Sequence, residues 1–98
     1  MKNKSYLGID PGSSSGCIAI LTQGRDLLRA TLEFKDYTTK EWFEELSVLS
    51  KEDHCFAVLE KVHGYPGMSV VAVSSFMKNY GNIEMALIAL DIPFIEIT

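Results

Sequence analysis

Tyr6-Leu7-Gly8-Ile9-Asp10-Pro11-Gly12 is the stretch that decides how this chain folds. Leu7 and Ile9 belong to a short apolar β-run, Asp10 ends it, and Pro11-Gly12 turns the chain away. A second apolar run, Phe56-Ala57-Val58-Leu59-Glu60-Lys61, also ends on a carboxylate. A carboxylate at the end of a buried strand is costly unless a charged group meets it. If the two strands are parallel neighbours, their end residues lie roughly 5 Å apart. Anions that close repel, unless a hard cation such as Mg²⁺ sits between them. Asp10 and Glu60 are therefore read as the carboxylates of a divalent-metal site, with Mg²⁺ as the expected ion and Mn²⁺ as a substitute.

A length of 98 residues, 47% of them hydrophobic, suits a single domain spanning 1–98 with a modest core. No apolar stretch is long enough to cross a bilayer, and the basic opening Met1-Lys2-Asn3-Lys4-Ser5 leads into no signal-peptide core. The expected location is the cytoplasm of a bacterial cell or a phage-infected host, with no membrane partner. Cys17 and Cys55 each lie in an apolar run, as free buried thiols of a reducing compartment do. The formal charge of −4 argues mildly against nucleic acid as a ligand. That charge is concentrated, however: seven acids and three lysines fall between Glu33 and Asp53, and the remainder of the chain is neutral. A metal elsewhere would add positive charge where an anionic substrate docks.

The hydrophobic pattern predicts a strand over 5–10, a small-residue turn through Ser13-Ser14-Ser15-Gly16, and a second strand over 17–21 that closes a hairpin. A turn at Gln23-Gly24-Arg25-Asp26 and a third strand over 27–34 follow. Thr38-Thr39-Lys40-Glu41 fits a capping box, opening a helix with Trp42, Phe43, Leu46 and Leu49 on one face. The fourth strand covers 55–60, and His63-Gly64-Tyr65-Pro66-Gly67 reads as a loop. A long helix is expected over about 70–90, with Phe76, Met77, Tyr80, Ile83, Leu87, Ile88 and Leu90 at helical spacing and Gly81 as a bend or close contact. Asp91-Ile92-Pro93 ends it, and a fifth strand covers 94–97.

The order β-β-β-α-β-α-β predicts an α/β fold: a mixed five-stranded sheet in the order 3-2-1-4-5, strand 2 antiparallel, with two helices. Both crossovers progress in one direction, so right-handedness puts both helices on one face. The sheet carries apolar residues on both faces, so the other face is expected to lack its cover.

This arrangement is the core of the ribonuclease-H-like fold. Gly8-Ile9-Asp10-Pro11-Gly12 with Ser15-Gly16, and Leu59-Glu60-Lys61-Val62-His63, resemble the RuvC-type Holliday-junction resolvases, particularly their phage-associated branch. So do Ser74-Ser75-Phe76-Met77-Lys78-Asn79-Tyr80-Gly81 and Leu90-Asp91-Ile92-Pro93-Phe94. The resemblance implies a metal-dependent endonuclease acting on branched DNA, usually as a homodimer, with two Mg²⁺ ions activating a water and stabilising the leaving oxygen. Asp10 matches the bridging carboxylate of the first strand and Glu60 the glutamate of the fourth. The family also draws acidic residues from a helix beyond the fifth strand. The sequence ends at Thr98, so the chain is expected to be a truncated member that lacks this C-terminal helix and is incomplete for catalysis alone.

The resemblance makes His63 and Tyr65 candidates for meeting the junction, Tyr65 by stacking on bases. An ordinary surface loop is the alternative. Lys61 and Lys78 are candidate phosphate contacts, although two lysines are few for a DNA groove. Asp10 could instead simply hold the Pro11-Gly12 turn, and Glu60 could pair with Lys61 or His63. Phe76, Met77 and Tyr80 are read as core or dimer contacts, Asp91 as a helix-end residue and Glu96 as an exposed strand position. Two other functions fit the same residues. An ATP-binding domain of the actin, heat-shock ATPase and sugar-kinase superfamily also begins with a strand, an Asp and a Gly-rich turn, but the short chain and the placing of Glu60 favour the nuclease. A non-catalytic, nucleic-acid-binding remnant of the nuclease fold would explain the shortage of basic residues.

Overall fold

A computed structural model describes residues 2–24, 28–61 and 69–98. Its strands are β1 (Lys4–Asp10), β2 (Cys17–Gln23), β3 (Leu28–Glu33), β4 (His54–Glu60) and β5 (Phe94–Ile97), and its helices are α1 (Thr39–Glu52) and α2 (Val70–Ala89). They form one sheet in the expected order β3-β2-β1-β4-β5. β1 pairs antiparallel with β2 and parallel with β4, and β4 pairs parallel with β5.

Strand periodicity assigns the two faces. Leu7 and Ile9 of β1, Ile18 of β2, and Ala57 and Leu59 of β4 are buried on one face. They share a core with Trp42 and Leu46 of α1 and with Ile83, Ala86 and Leu87 of α2. Both helices therefore cover the same face, as right-handed crossovers require. The alternate positions look outward: Tyr6, Phe56, Ile95 and Ile97 keep 40%, 37%, 51% and 47% of their surface exposed. Burying a leucine or isoleucine side chain stabilises a fold by about 1.5–3 kcal/mol, so only one side of this sheet contributes its full apolar content.

Side-chain chemistry explains where α1 begins. The Thr38 hydroxyl accepts from the Glu41 amide at 3.1 Å, and Glu41 accepts from the Thr38 amide at 2.8 Å, completing the capping box. The backbone bond to Thr38 holds the Glu41 carboxyl below its ordinary pKa. At the opposite end of α1, Asp53 accepts from the buried Ser5 hydroxyl at 2.7 Å, and Ser5 also shares a 2.7 Å bond with Thr22. These bonds satisfy the polar atoms that β1 and β2 bury in the core.

Several sequence expectations need adjusting. Phe34 is not the last residue of β3: Phe34–Asp36 forms a 3₁₀ turn that swings the ring into the core, edge-on to Trp42 at 5.8 Å between ring centres. β2 runs two residues further than expected, because it stays paired with β1 as far as Lys4 and Gln23. α2 runs unbroken through Gly81, and a Cβ there would meet nothing within 4 Å, so this glycine marks no close contact. Met77 and Ile88 point to solvent, with 56% and 58% of their surface exposed, although their spacing suggests a core stripe. Cys17 and Cys55 are free thiols but only half-buried, because Cys17 sits on the open face and Cys55 at the start of β4. The turn over residues 25–26 and the loop over 63–67 lie outside the described residues.

Asp91 does end α2, through a left-handed backbone (φ 54°). Its amide donates to the Ile88 carbonyl at 3.1 Å and the Ile92 amide to the Leu87 carbonyl at 2.9 Å, and Leu87 and Ile92 are both buried. This is a Schellman termination with its apolar contact, built on a residue other than the favoured glycine. A left-handed conformation costs a residue bearing a Cβ about 1–2 kcal/mol. Asp91→Gly is therefore expected to raise the free energy of unfolding by about 1 kcal/mol. Equilibrium denaturation measures this, and an unchanged or lowered midpoint would count against the strain.

Candidate metal centre

The ladder between β1 and β4 sets Gly8 opposite Val58 and Ile9 opposite Leu59. Asp10 and Glu60 come next, one step beyond its last pair, as the final residues of their strands. Ile9 and Leu59 are buried under the helices, so the alternation of side chains turns Asp10 and Glu60 together to the open face. Both are exposed. The structure thus brings the two sequence-predicted carboxylates to neighbouring positions on one edge of one face.

The turn after Asp10 is tightly constrained. The Gly12 amide donates to Asp10 Oδ1 at 3.1 Å, so this carboxylate does hold its own turn, as the plain reading of the sequence allows. Oδ2 accepts no hydrogen bond among the described residues. The Gly16 amide donates to the Gly12 carbonyl at 2.8 Å, and the Gly16 carbonyl accepts from Phe34 at 3.2 Å. A Cβ on Gly16 would overlap the carbonyl oxygens of Asp10 and Gly12, so only glycine lets the hairpin close here. From α2, Asn79 Nδ2 donates to the Pro11 carbonyl at 2.8 Å.

On the helix-covered side, below the end of β4, lies a second polar group. Glu96 of β5 accepts from the Tyr80 hydroxyl at 2.6 Å, and the same oxygen, Oε2, lies 3.9 Å from Lys61 Nζ. Lys61 therefore pairs with Glu96 and not with Glu60. Glu96 is more than an exposed strand position, because its strand register directs it toward α2, opposite Leu59. Burial and then the bond to Glu96 push the Tyr80 phenol well above its ordinary pKa, so the ring keeps the proton that it donates. Burial first, and then the neighbouring Glu96 charge, raise the Glu84 carboxyl.

Of the other predicted contacts, Lys78 is exposed on α2, while His63 and Tyr65 lie outside the described residues. Among the described residues no group of three or more His, Cys, Asp or Glu side chains could hold a metal ion. Asp10 and Glu60 stand as a pair. Mg²⁺ commonly uses only one or two carboxylates and keeps waters or substrate phosphates in its remaining positions, so two hard oxygen donors fit it. Asn79 and Glu84 were not singled out from the sequence. α2 carries several other polar residues, Ser74, Ser75, Lys78 and Asn82 among them, so nothing in the sequence set these two apart.

The fold matches T. thermophilus RuvC in complex with a Holliday junction substrate, with a TM-score of 0.58 and 13% identity over 96% of this chain and 64% of that one. It also matches a Thermus thermophilus RuvC structure, with a TM-score of 0.51 and 15% identity over 95% of this chain and 63% of that one. The chain has the ribonuclease-H-like fold of RuvC. It spans just under two thirds of the length of these RuvC chains. No protein-family model and no curated protein matches the sequence. Among the described residues no helix is long and apolar enough to cross a membrane.

The raised Glu84 carboxyl yields a prediction with a definite sign. Its folded pKa exceeds its unfolded one, so the folded chain binds more protons between the two values, and stability falls as pH rises through that window. Glu84→Gln, neutral throughout, is expected to raise the melting temperature at pH 7, with the gain fading in acid below about pH 4, where both states are protonated. A gain of equal size at both pH values would contradict the assignment.

Proposed function

We propose that this chain is the nuclease module of a RuvC-type resolvase, a Mg²⁺-dependent endonuclease that hydrolyses a phosphodiester in branched DNA and works as a homodimer. The observation that carries this reading is the placement of Asp10 and Glu60 at the matching ends of β1 and β4, on the open face. The shared fold with a protein solved on a Holliday junction supports the substrate class. Mn²⁺ would serve in place of Mg²⁺, since both take hard oxygen ligands in octahedral geometry.

Each residue has a defined part. Asp10 keeps Oδ1 on the Gly12 amide, and Asp10 and Glu60, from adjacent strands, would hold the ion through their carboxylates. When bound there, Mg²⁺ supplies Lewis acidity and an activated water for attack on phosphorus. Exposure of both carboxylates leaves room for a phosphate and for ligands outside the described residues. Lys78, with His63 and Tyr65, would meet the DNA. Lys61 serves it less directly, because its ammonium is already drawn toward Glu96. The two carboxylates make this edge locally anionic, and a bound ion would offset that charge where a phosphate docks.

The test is cleavage of a synthetic four-way junction in Mg²⁺ by the natural protein that contains this chain. Asp10→Asn and Glu60→Gln are each expected to cut about 100-fold more slowly or worse, the usual scale for losing a preorganised electrostatic group. Cleavage undiminished in either variant would remove that residue from the chemistry. Junction binding with no cleavage would select the non-catalytic reading, and stoichiometric ATP binding without junction binding would select the ATP-binding domain.

A further inference from the structure

Asp10 and Glu60 lie one step past the last pair of the β1–β4 ladder, so no ladder bond between them sets their separation. Two like charges on neighbouring strand ends push apart. Each end is paired on its outer side, Asp10 with Cys17 of β2 and Glu60 with Ile97 of β5, and α2 reaches both ends with consecutive residues. Asn79 donates to the carbonyl of Pro11, the residue that follows Asp10, at 2.8 Å. Tyr80 donates to Glu96 Oε2 at 2.6 Å, and that oxygen also attracts Lys61, the residue that follows Glu60, at 3.9 Å. The Lys61 amide is bonded in turn to the carbonyl of Ile97, next to Glu96. α2 itself is anchored by the buried Ile83, Ala86 and Leu87, so it can serve as a rigid jig for both strand ends.

We propose that Asn79 and Tyr80 are positioning residues for the metal centre, fastening the ends of β1 and β4 to one helix and so fixing the gap between the Asp10 and Glu60 carboxylates. This rests on the function proposed above and deepens it. Neither residue touches the ion: Asn79 acts through the Pro11 backbone, and Tyr80 through Glu96 and Lys61. Groups that orient metal ligands typically cost about 10–100-fold in metal affinity when removed, and two ties on two different strands act separately.

The test is a Mn²⁺ titration of the chain, following the paramagnetic resonance signal of the free ion. Tyr80→Phe keeps the ring in the core and deletes only the hydroxyl, so it carries the test even where Asn79→Ala folds poorly. Tyr80→Phe and Asn79→Ala are each expected to bind Mn²⁺ about 10-fold more weakly, with stoichiometry restored by excess metal. Thr38→Ala, which removes a helix cap bonded only within its own turn and to none of Asp10, Glu60, Asn79 or Tyr80, is expected to bind as the wild type does. Wild-type affinity in Tyr80→Phe would overturn the proposal, and so would an equal loss in Thr38→Ala, which would assign the effect to general stability. Asp10→Asn separates the two readings. If it abolishes binding while Tyr80→Phe does not weaken it, the positioning role fails and the metal centre stands; if it binds as tightly as wild type, the metal centre itself fails.

Discussion

Parallel pairing of β1 with β4 brings two carboxylates to adjoining strand ends of one sheet, and the candidate site depends on that pairing. Side-chain alternation places both groups on the face away from the helices, where water solvates them and an ion or phosphate can reach them. Buried on the other face, the same pair would face a desolvation cost of several kcal/mol per charge. The Asp10 turn is closed by Gly16, where a side chain would collide with backbone, and the Gly12 amide holds one carboxylate oxygen of Asp10. Two exposed carboxylates on neighbouring strand ends are an arrangement that a metal-dependent hydrolase can use.

The sheet is unevenly clothed. α1 and α2 share one core over Leu7, Ile9, Ile18, Ala57 and Leu59, while Tyr6, Phe56, Ile95 and Ile97 keep much of their surface in solvent on the opposite side. The proposed site lies at the edge of that open face. Anything that packs against the sheet there lies beside Asp10 and Glu60, so covering the face and completing the metal centre are geometrically linked. α2 contributes from the other side, through bonds to the turn after Asp10 and to the strand beside Glu60.

Much of this was legible from residue order. Alternation in Leu7 and Ile9, the capping box at Thr38 and Glu41, and the turn residues at Pro11 and Gly12 gave the elements, and crossover handedness gave the strand order. The two carboxylates followed, because strand ends are visible in sequence and neighbouring strands share a register. Less accessible was whatever depends on three-dimensional packing. Phe34 continues an alternating pattern, yet Trp42 draws it into a 3₁₀ turn. Met77 and Ile88 keep helical spacing but fall outside the stripe that α2 buries. Glu96 reads as a surface residue until Tyr80 is seen opposite it, and Asn79 has no sequence neighbour to betray its bond to a carbonyl 68 residues away.

The measurement closest to the central claim is a diffraction experiment on crystals of this protein soaked in Mn²⁺, with data collected where manganese scatters anomalously. An anomalous peak is expected on the open face of the sheet, within coordination distance of a carboxylate oxygen of Asp10 and one of Glu60. A map with no peak there, or one in which the two carboxylates point away from each other with manganese bound elsewhere, would contradict it.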